Sequence, residues 1–176
     1  FRRELVLRAL EIGIDPAYVY GLIRQESRFV ADARSHVGAS GLMQIMPATA
    51  RWTAKKMGVH YSPSSITDRS INLKLGTGYL KLVLDDFGGS QAMAAAAYNA
   101  GASRSRRWRA GPPLDPAVWA ENIPFNETRD YVKKVLYNAS LYAAVLTGQP
   151  PSLRTRLGRM IGPSDDGALV SATDLP

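Results

Sequence analysis

A single glutamate, Glu26, occupies an unusual position in the segment AYVYGLIRQESRF, residues 17–29. It stands seven positions after Val19 and four and three after Leu22 and Ile23, which is the spacing of one buried stripe on a helix. A carboxyl group held against apolar side chains loses hydration, which favours its protonated form and raises its pKa toward neutrality. Such a group can donate a proton and take it back near pH 7, as a general acid and base must.

A lone carboxyl of this kind suits cleavage of a glycosidic bond, in which the leaving oxygen is protonated while positive charge builds at the sugar carbon. Most enzymes that break this bond use a second carboxylate. Asp85 and Asp86, adjacent at a predicted helix end, are typical of surface charges, and Asp32 falls in a predicted loop. Glu121, beside a proline-rich segment, is the only other acid that we expect near a cleft.

Glu26 also has a purely structural interpretation. A glutamate at a helix end commonly turns toward water, or pairs with a neighbouring cation such as Arg24 or Arg28. The apolar stripe argues against this interpretation here, because it places the carboxyl on the side of the helix that faces the core.

Capping residues and apolar spacing around Glu26 predict a mainly α fold. Helices are predicted to start at Pro16 after the cap Asp15, at Pro47, after Asp68, after Ser90 and at Asn126, with ends near Gly58, Phe87 and Gly148. The alanine-dense stretch after Ser90 favours a central, tightly packed helix. No alternating pattern long enough for a regular strand interrupts this series.

Length and composition favour one domain. With 176 residues, 45% of them hydrophobic, the chain can bury one sizeable core, which we expect over residues 1–148. Residues 149–176 carry scattered proline and glycine with little periodicity, so we expect a loosely attached or disordered tail. No stretch approaches the roughly 18 apolar residues of a membrane span. The sequence opens on Phe1 without a charged and apolar leader, so we expect any export signal to lie outside it.

The net charge of +7 predicts attraction to an anionic partner, which could be nucleic acid, lipid head groups or an acidic cell-wall polymer. The segment SRSRRWRA, residues 103–110, could be a nucleic-acid patch, although a solvated helix face is the commoner explanation. The absence of cysteine excludes disulfides and thiolate metal sites. His36 and His60 share no ligand spacing with a carboxylate, so we expect no metal.

Four sequence blocks, in order over residues 17–142, together resemble a known family. They are ESRF, ARSHVGASGLMQIMPATA, AAYNAG and ENIPFNETRDYVKKVLYNASLY. The chain is similar to the catalytic domain of the soluble lytic transglycosylases, relatives of goose-type lysozyme that cut bacterial peptidoglycan. The resemblance implies a lysozyme-like helical domain with an elongated substrate cleft. It also implies a monomeric enzyme of the periplasm or cell envelope that acts on peptidoglycan glycan strands, without a cofactor and without a nucleic-acid partner.

The resemblance further implies that Glu26 is the sole catalytic carboxyl. It would protonate the bond between N-acetylmuramic acid and N-acetylglucosamine, then accept the proton of the muramic acid C6 hydroxyl as that oxygen closes a 1,6-anhydro ring. The substrate's own N-acetyl oxygen would stand in for the missing nucleophile, a recognised exception to the scheme with two carboxylates.

Positions that match the family's blocks are expected to bind substrate. By resemblance these are Ser35, at the N-acetyl group; Gln44 and Met46, lining the cleft; Tyr98 and Asn99, on its floor; and Glu121, against saccharide. Three of them have simpler explanations, since Ser35 could cap a turn, Met46 could fill the core and Tyr98 could be a satisfied core tyrosine.

Three alternatives to a transglycosylase stay open at this level. One is a basic helical nucleic-acid binder, which rests only on the charge and on the arginine-rich segment of residues 103–110. A muramidase would use the same Glu26 with water in place of the C6 hydroxyl. A glycan-binding module would keep the fold without turnover, although the presence of Ser35 and Gln44 beside Glu26 argues against it.

Overall fold

The computed structural model describes residues 2–149, 152–163 and 175. Within them the chain is helical, without a regular strand and with isolated β-bridges only. The α-helices are α1 Arg2–Ile12, α2 Pro16–Glu26, α3 Pro47–Met57, α4 Arg69–Asp86, α5 Gln91–Ala100, α6 Ala102–Arg107, α7 Pro116–Glu121, α8 Asn126–Thr147 and α9 Leu153–Leu157, and a 3₁₀ turn covers Pro63–Ser65. The mainly helical fold predicted from the sequence is therefore confirmed.

The predicted helix ends are confirmed by the capping contacts. Asp15, Asp68 and Ser90 each accept a hydrogen bond from a backbone N–H in the first turn of α2, α4 and α5. Gly58 and Gly148 end α3 and α8 in the left-handed conformation, with φ of 64° and 72°. Glycine adopts this conformation without the steric cost that a side chain would add.

Helices α2, α5 and α8 pack together at the centre of the fold, and this packing fixes the position of Glu26. Residues 17–23 of α2 and residues 92–97 of α5 are all buried. Helices α2 and α8 approach so closely at Gly21 that an added Cβ would lie 2.6 Å from the carbonyl oxygen of Val135. This contact holds the C-terminal end of α2, which carries Glu26, against α8.

Part of the segment predicted as a tail, residues 149–176, contacts the domain. Its residues 152–163 include α9, and Nη1 of Arg156 lies 2.6 Å from a carboxylate oxygen of Asp15 and 3.0 Å from the side-chain oxygen of Gln91. The sequence gives little sign of this contact, because the arginine stands in a short helix without an apolar stripe.

A second contact of the same segment is a β-bridge. The backbones of Leu114 and Ile161 exchange two hydrogen bonds of 2.8 Å. Leu175 also packs against the core. The other residues of the predicted tail lie outside the described part of the chain; these are residues 150–151, 164–174 and 176. The boundary between domain and tail stays a prediction.

Candidate active site

Glu26 ends α2 with a partly buried side chain. Tyr131 of α8 donates a hydrogen bond from its hydroxyl to Oε1 of Glu26 at 2.5 Å. Burial raises the pKa of Glu26 from 4.5 to about 7, and the hydrogen bond from Tyr131 opposes this rise without cancelling it. Among the described residues Glu26 has no cationic partner, and both Arg24 and Arg28 are exposed. The carboxyl group is thus poised to gain and lose a proton near neutral pH.

Two tyrosines interact with this carboxyl, Tyr131 by a hydrogen bond and Tyr98 through its charge. The pKa of Tyr131 is raised well above 10, mainly by burial and then by the charge of Glu26. The pKa of Tyr98 is also raised well above 10 by burial and by the same charge, and its hydroxyl donates to the carbonyl oxygen of Met43 at 2.7 Å. Both phenols therefore stay neutral, and Tyr98 braces the loop before α3.

Tyr131 was not among the residues expected at the site. It lies in one of the family-like blocks, but its apolar neighbours Val132 and Val135 assign it equally well to the core of α8. Only the packing of α8 against α2 shows that its hydroxyl reaches Glu26.

The turn that follows Glu26 has a strained backbone. Arg28 and Phe29 have φ of 52° and 68°, a region that residues other than glycine rarely adopt. Phe29 packs against Tyr20 and Tyr142, with ring centroids 6.0 Å apart in both pairs. The aromatic contacts offset the strain and turn the chain sharply back over the end of α2.

Hydrogen bonds tie the loop of residues 30–46 to the helices beneath it. The hydroxyl of Ser27 donates to the carbonyl oxygen of Leu42 at 2.7 Å. The buried Asn72 of α4 accepts from the Met43 N–H at 2.9 Å and donates to the carbonyl oxygen of Ser40 at 2.8 Å. Asn72 is a supporting residue that the sequence signals only as a polar interruption of an apolar helix.

Ser35 lies in this loop and caps a turn. Its Oγ accepts a hydrogen bond from the N–H of Ala39 at 3.0 Å, and its own backbone N–H donates to the Ala39 carbonyl oxygen. Ser35 therefore caps a turn, which is the simpler explanation that the sequence offered for this residue. Its hydroxyl hydrogen has no acceptor among the described residues, so it stays available to a ligand.

Gln44, Met46 and Tyr98 come together around a concavity of about 140 Å³. Nε2 of Gln44 donates to the carbonyl oxygens of Ala33 at 3.0 Å and Gly41 at 2.8 Å, and its Oε1 accepts no hydrogen bond from the described residues. Met46 is 41% exposed, so it does not fill the core. The elongated cleft that we expect stays a prediction.

Asn99 and Glu121 do not line this concavity, and neither do Glu26 and Ser35. Oδ1 of Asn99 accepts a hydrogen bond of 2.7 Å from the hydroxyl of Thr128 in α8. Glu121 is exposed, and its carboxylate lies 2.7 Å from Nζ of Lys133. Its expected contact with saccharide stays a prediction.

The other acidic candidates lie on the surface. Asp32 is exposed, Asp85 pairs with Lys81 at 2.6 Å, and Asp86 pairs with Arg106 at 2.8 Å. No second carboxylate from the described part of the chain faces Glu26. The arrangement can therefore perform acid and base catalysis at one carboxyl, without a protein nucleophile.

A larger concavity of about 1040 Å³ lies at the opposite end of α5. Met93 and Leu157 are among its lining residues, and it contains none of the predicted site residues. In the described part of the chain no cluster of three potential metal ligands occurs, and no helix is both long and apolar enough to cross a membrane.

Comparison with known proteins relates the chain to soluble lytic transglycosylases. A family model described as "Transglycosylase SLT domain" matches residues 8–113, and a model described as "Soluble lytic transglycosylase helical domain" matches residues 122–151. The soluble lytic murein transglycosylase of Escherichia coli (strain K12) is 42% identical over 145 residues, which are 80% of this chain and 22% of that protein. A putative soluble lytic murein transglycosylase of Haemophilus influenzae is 32% identical over 145 residues, which are 81% of this chain and 24% of that protein.

Solved structures show the same relationship. An inactive mutant of the lytic transglycosylase Slt from Pseudomonas aeruginosa superposes with a TM-score of 0.82 and 42% identity, covering 85% of this chain and 25% of that one. The 70 kDa soluble lytic transglycosylase from Escherichia coli gives a TM-score of 0.83 and 37% identity, covering 91% and 27%. The chain thus spans about a quarter of the length of these relatives.

Proposed function

Because the chain belongs to the transglycosylase SLT domain family, we propose that it is a peptidoglycan lytic transglycosylase. In this proposal it cleaves the β-1,4 bond between N-acetylmuramic acid and N-acetylglucosamine and leaves a 1,6-anhydromuramic end. The observation that carries the proposal is the partly buried carboxyl of Glu26, with a pKa of about 7 and a hydrogen bond from Tyr131.

In the first step Glu26 acts as an acid. At pH 7 about half of the molecules carry a protonated carboxyl, because the pKa of Glu26 is about 7. The proton passes to the glycosidic oxygen as the bond from C1 of the muramic acid breaks, and N-acetylglucosamine leaves with that oxygen. The developing carboxylate keeps its hydrogen bond from Tyr131, which stabilises the ionised form.

In the second step the same carboxylate acts as a base. It accepts the proton of the muramic acid C6 hydroxyl while O6 bonds to C1, so no water is consumed and Glu26 returns to its protonated state. The hydroxyl is tethered to the reacting sugar, which gives it a high effective concentration compared with water.

The positive charge at C1 needs a partner, and no second carboxylate of the described residues faces Glu26. The N-acetyl oxygen of the substrate fills this role in the proposal, held by the free hydroxyl hydrogen of Ser35. Gln44 supports the same loop and presents Oε1 toward the bound sugars, while Met46 provides apolar contact.

The proposed substrate also determines where the protein acts and what it contacts. Peptidoglycan lies outside the cytoplasmic membrane, so the proposal includes an exported protein of the periplasm or cell envelope. The net charge of +7 supports contact with a polymer whose stem peptides carry carboxylates. We further propose that the domain acts as a monomer.

Digestion of purified sacculi tests the proposal. The released muropeptides should carry anhydro ends, which are lighter by one water than hydrolysed ends when weighed by mass spectrometry. Hydrolysed ends would instead show a muramidase, and binding without release would show a glycan-binding module. The matched control is Glu26→Gln, which should fold, bind sacculi and release nothing.

A further inference from the structure

Three side chains form an exposed cluster that the proposed reaction does not use. The rings of Trp108 and Phe125 meet nearly edge to face, with centroids 5.3 Å apart, and the guanidinium carbon of Arg104 lies 5.2 Å from the Phe125 centroid. Phe125 is 46% exposed, so much of its ring is open to solvent. We name these three residues the aromatic–arginine edge.

The edge adjoins the concavity lined by Gln44 and Tyr98. Gly101 lines the concavity of Gln44 and Tyr98 and directly precedes α6, which carries Arg104. Phe125 is the residue before α8, and Tyr131 follows six positions later, a rise of about 9 Å along the helix. A polymer that occupies this concavity would therefore extend toward α6, which carries Arg104.

Arg104 supplies the positive charge of the edge, whereas the guanidinium groups of Arg106 and Arg109 lie over the ring of Phe87. Four arginines stand between residues 103 and 110. Arg106 pairs with Asp86. The other three, among them Arg104, have no carboxylate partner in the described residues. One guanidinium N–H of Arg104 donates to the Ala100 carbonyl oxygen at 3.0 Å, and its other N–H groups have no hydrogen-bond acceptor in the part of the chain that the structure describes.

The exposed face of Phe125 has no evident structural use. Trp108 supports the fold through its backbone, because its carbonyl oxygen accepts from the indole N–H of Trp119 at 2.9 Å. The contacts of Phe125 with Trp108 and Arg104 occupy only part of its ring. Half-exposed aromatic rings next to unpaired cations are typical of binding surfaces.

We propose that the aromatic–arginine edge is a binding site for a sugar unit of the glycan strand that carries an anionic stem peptide. The C–H face of the sugar packs on Phe125, and a carboxylate of the stem peptide pairs with Arg104. This inference rests on the proposed function, because it takes peptidoglycan as the polymer. Phe125 could also stack on a base of single-stranded nucleic acid while Arg104 neutralises a phosphate. Binding measurements with glycan and with single-stranded DNA distinguish these two occupants.

The test measures binding by protein that carries Glu26→Gln, so that the oligosaccharide is not cleaved during the titration. Purified glycan oligosaccharides, with and without stem peptides, are titrated into the protein by calorimetry. Phe125→Leu should weaken binding of both by about tenfold, because the sugar loses its aromatic platform. Arg104→Gln should weaken binding of the stem-bearing oligosaccharide by about three- to fivefold and leave the stem-free one unchanged.

Matched controls use residues of the same kind elsewhere on the surface. Tyr137→Leu removes an aromatic ring that is 64% exposed on α8, and Arg154→Gln removes an exposed arginine of α9. Neither should change either affinity. Thermal melts of all variants exclude unfolding as a cause of weaker binding.

Equal affinities across the Phe125, Arg104 and control variants would overturn the inference. A loss for Arg104→Gln that is the same with and without stem peptides would also overturn it. Binding of single-stranded DNA that depends on Phe125, without binding of glycan, would assign the edge to nucleic acid instead. Product analysis of the unmodified protein on sacculi tests the proposed function separately, so failure of one proposal is distinguishable from failure of the other.

Discussion

Replacing Glu26 by glutamine should stabilise the protein at alkaline pH and not at acidic pH. Burial raises the pKa of Glu26 from 4.5 to about 7 in the folded state. The folded protein therefore binds this proton more tightly than the unfolded chain does. Its ionisation opposes folding, so the free energy of unfolding should fall as pH rises from about 4.5 to about 7 and then level off.

The size of this effect follows from the two pKa values. They differ by about 2.5 pH units, and each unit corresponds to about 1.4 kcal/mol, so the folded state loses about 3 kcal/mol of stability through this group. Glutamine has nearly the same shape, its side-chain oxygen can accept the Tyr131 hydrogen bond, and it carries no charge at any pH. Glu26→Gln should therefore match the unmodified protein at pH 4 and exceed its stability by about 3 kcal/mol at pH 8.

Urea unfolding followed by tryptophan fluorescence measures this difference, since the chain contains three tryptophans. The two proteins are compared at each pH from 4 to 8.5, so titrations that they share cancel. Any constant offset from altered packing appears at pH 4 and is subtracted. Two stability curves that stay parallel over the whole range would refute a buried, protonated Glu26.

Three further predictions concern the site and its support. Tyr131→Phe removes the hydrogen bond that lowers the pKa of Glu26. The pH at which kcat/KM falls on the alkaline side should therefore rise by about 1 unit. An unchanged pH profile would show that this hydrogen bond does not affect the pKa of Glu26. Ser35→Ala should lower kcat by about tenfold or more with a smaller change in KM, and equal changes would reduce this serine to a binding residue. Gly21→Ala should destabilise the fold by about 3 kcal/mol in urea unfolding, because the new Cβ meets the backbone of α8 rather than a movable side chain; a change below about 1 kcal/mol would contradict the close approach.

Capping residues and apolar spacing in the sequence already predict most of the helices around the site. Asp15, Asp68 and Ser90 are capping residues whose effect depends only on the next few positions, and the structure has helices starting after each of them. The same reasoning placed Glu26 on a buried stripe, because helical spacing alone decides which residues share a face. Sequence blocks then added Ser35, Gln44, Met46 and Tyr98 by resemblance.

Other features depend on contacts between distant segments and carry no local signal. The bond between Tyr131 and Glu26 joins residues 105 positions apart, and the contact of Arg156 with Asp15 joins residues 141 positions apart. Asn72 likewise accepts a hydrogen bond from the backbone of Met43, which lies 29 positions earlier in the chain.

The sequence by itself determined that this protein is helical and that one carboxyl lies on a buried helix face, because both follow from spacing and capping over a few residues. Only the tertiary structure decided which hydroxyl that carboxyl meets, and that no second acid of the described chain faces it. The pKa of Glu26 depends on the water removed and the donors supplied by helices far away in sequence, so it is a property of the packed helices rather than of the segment that carries the glutamate.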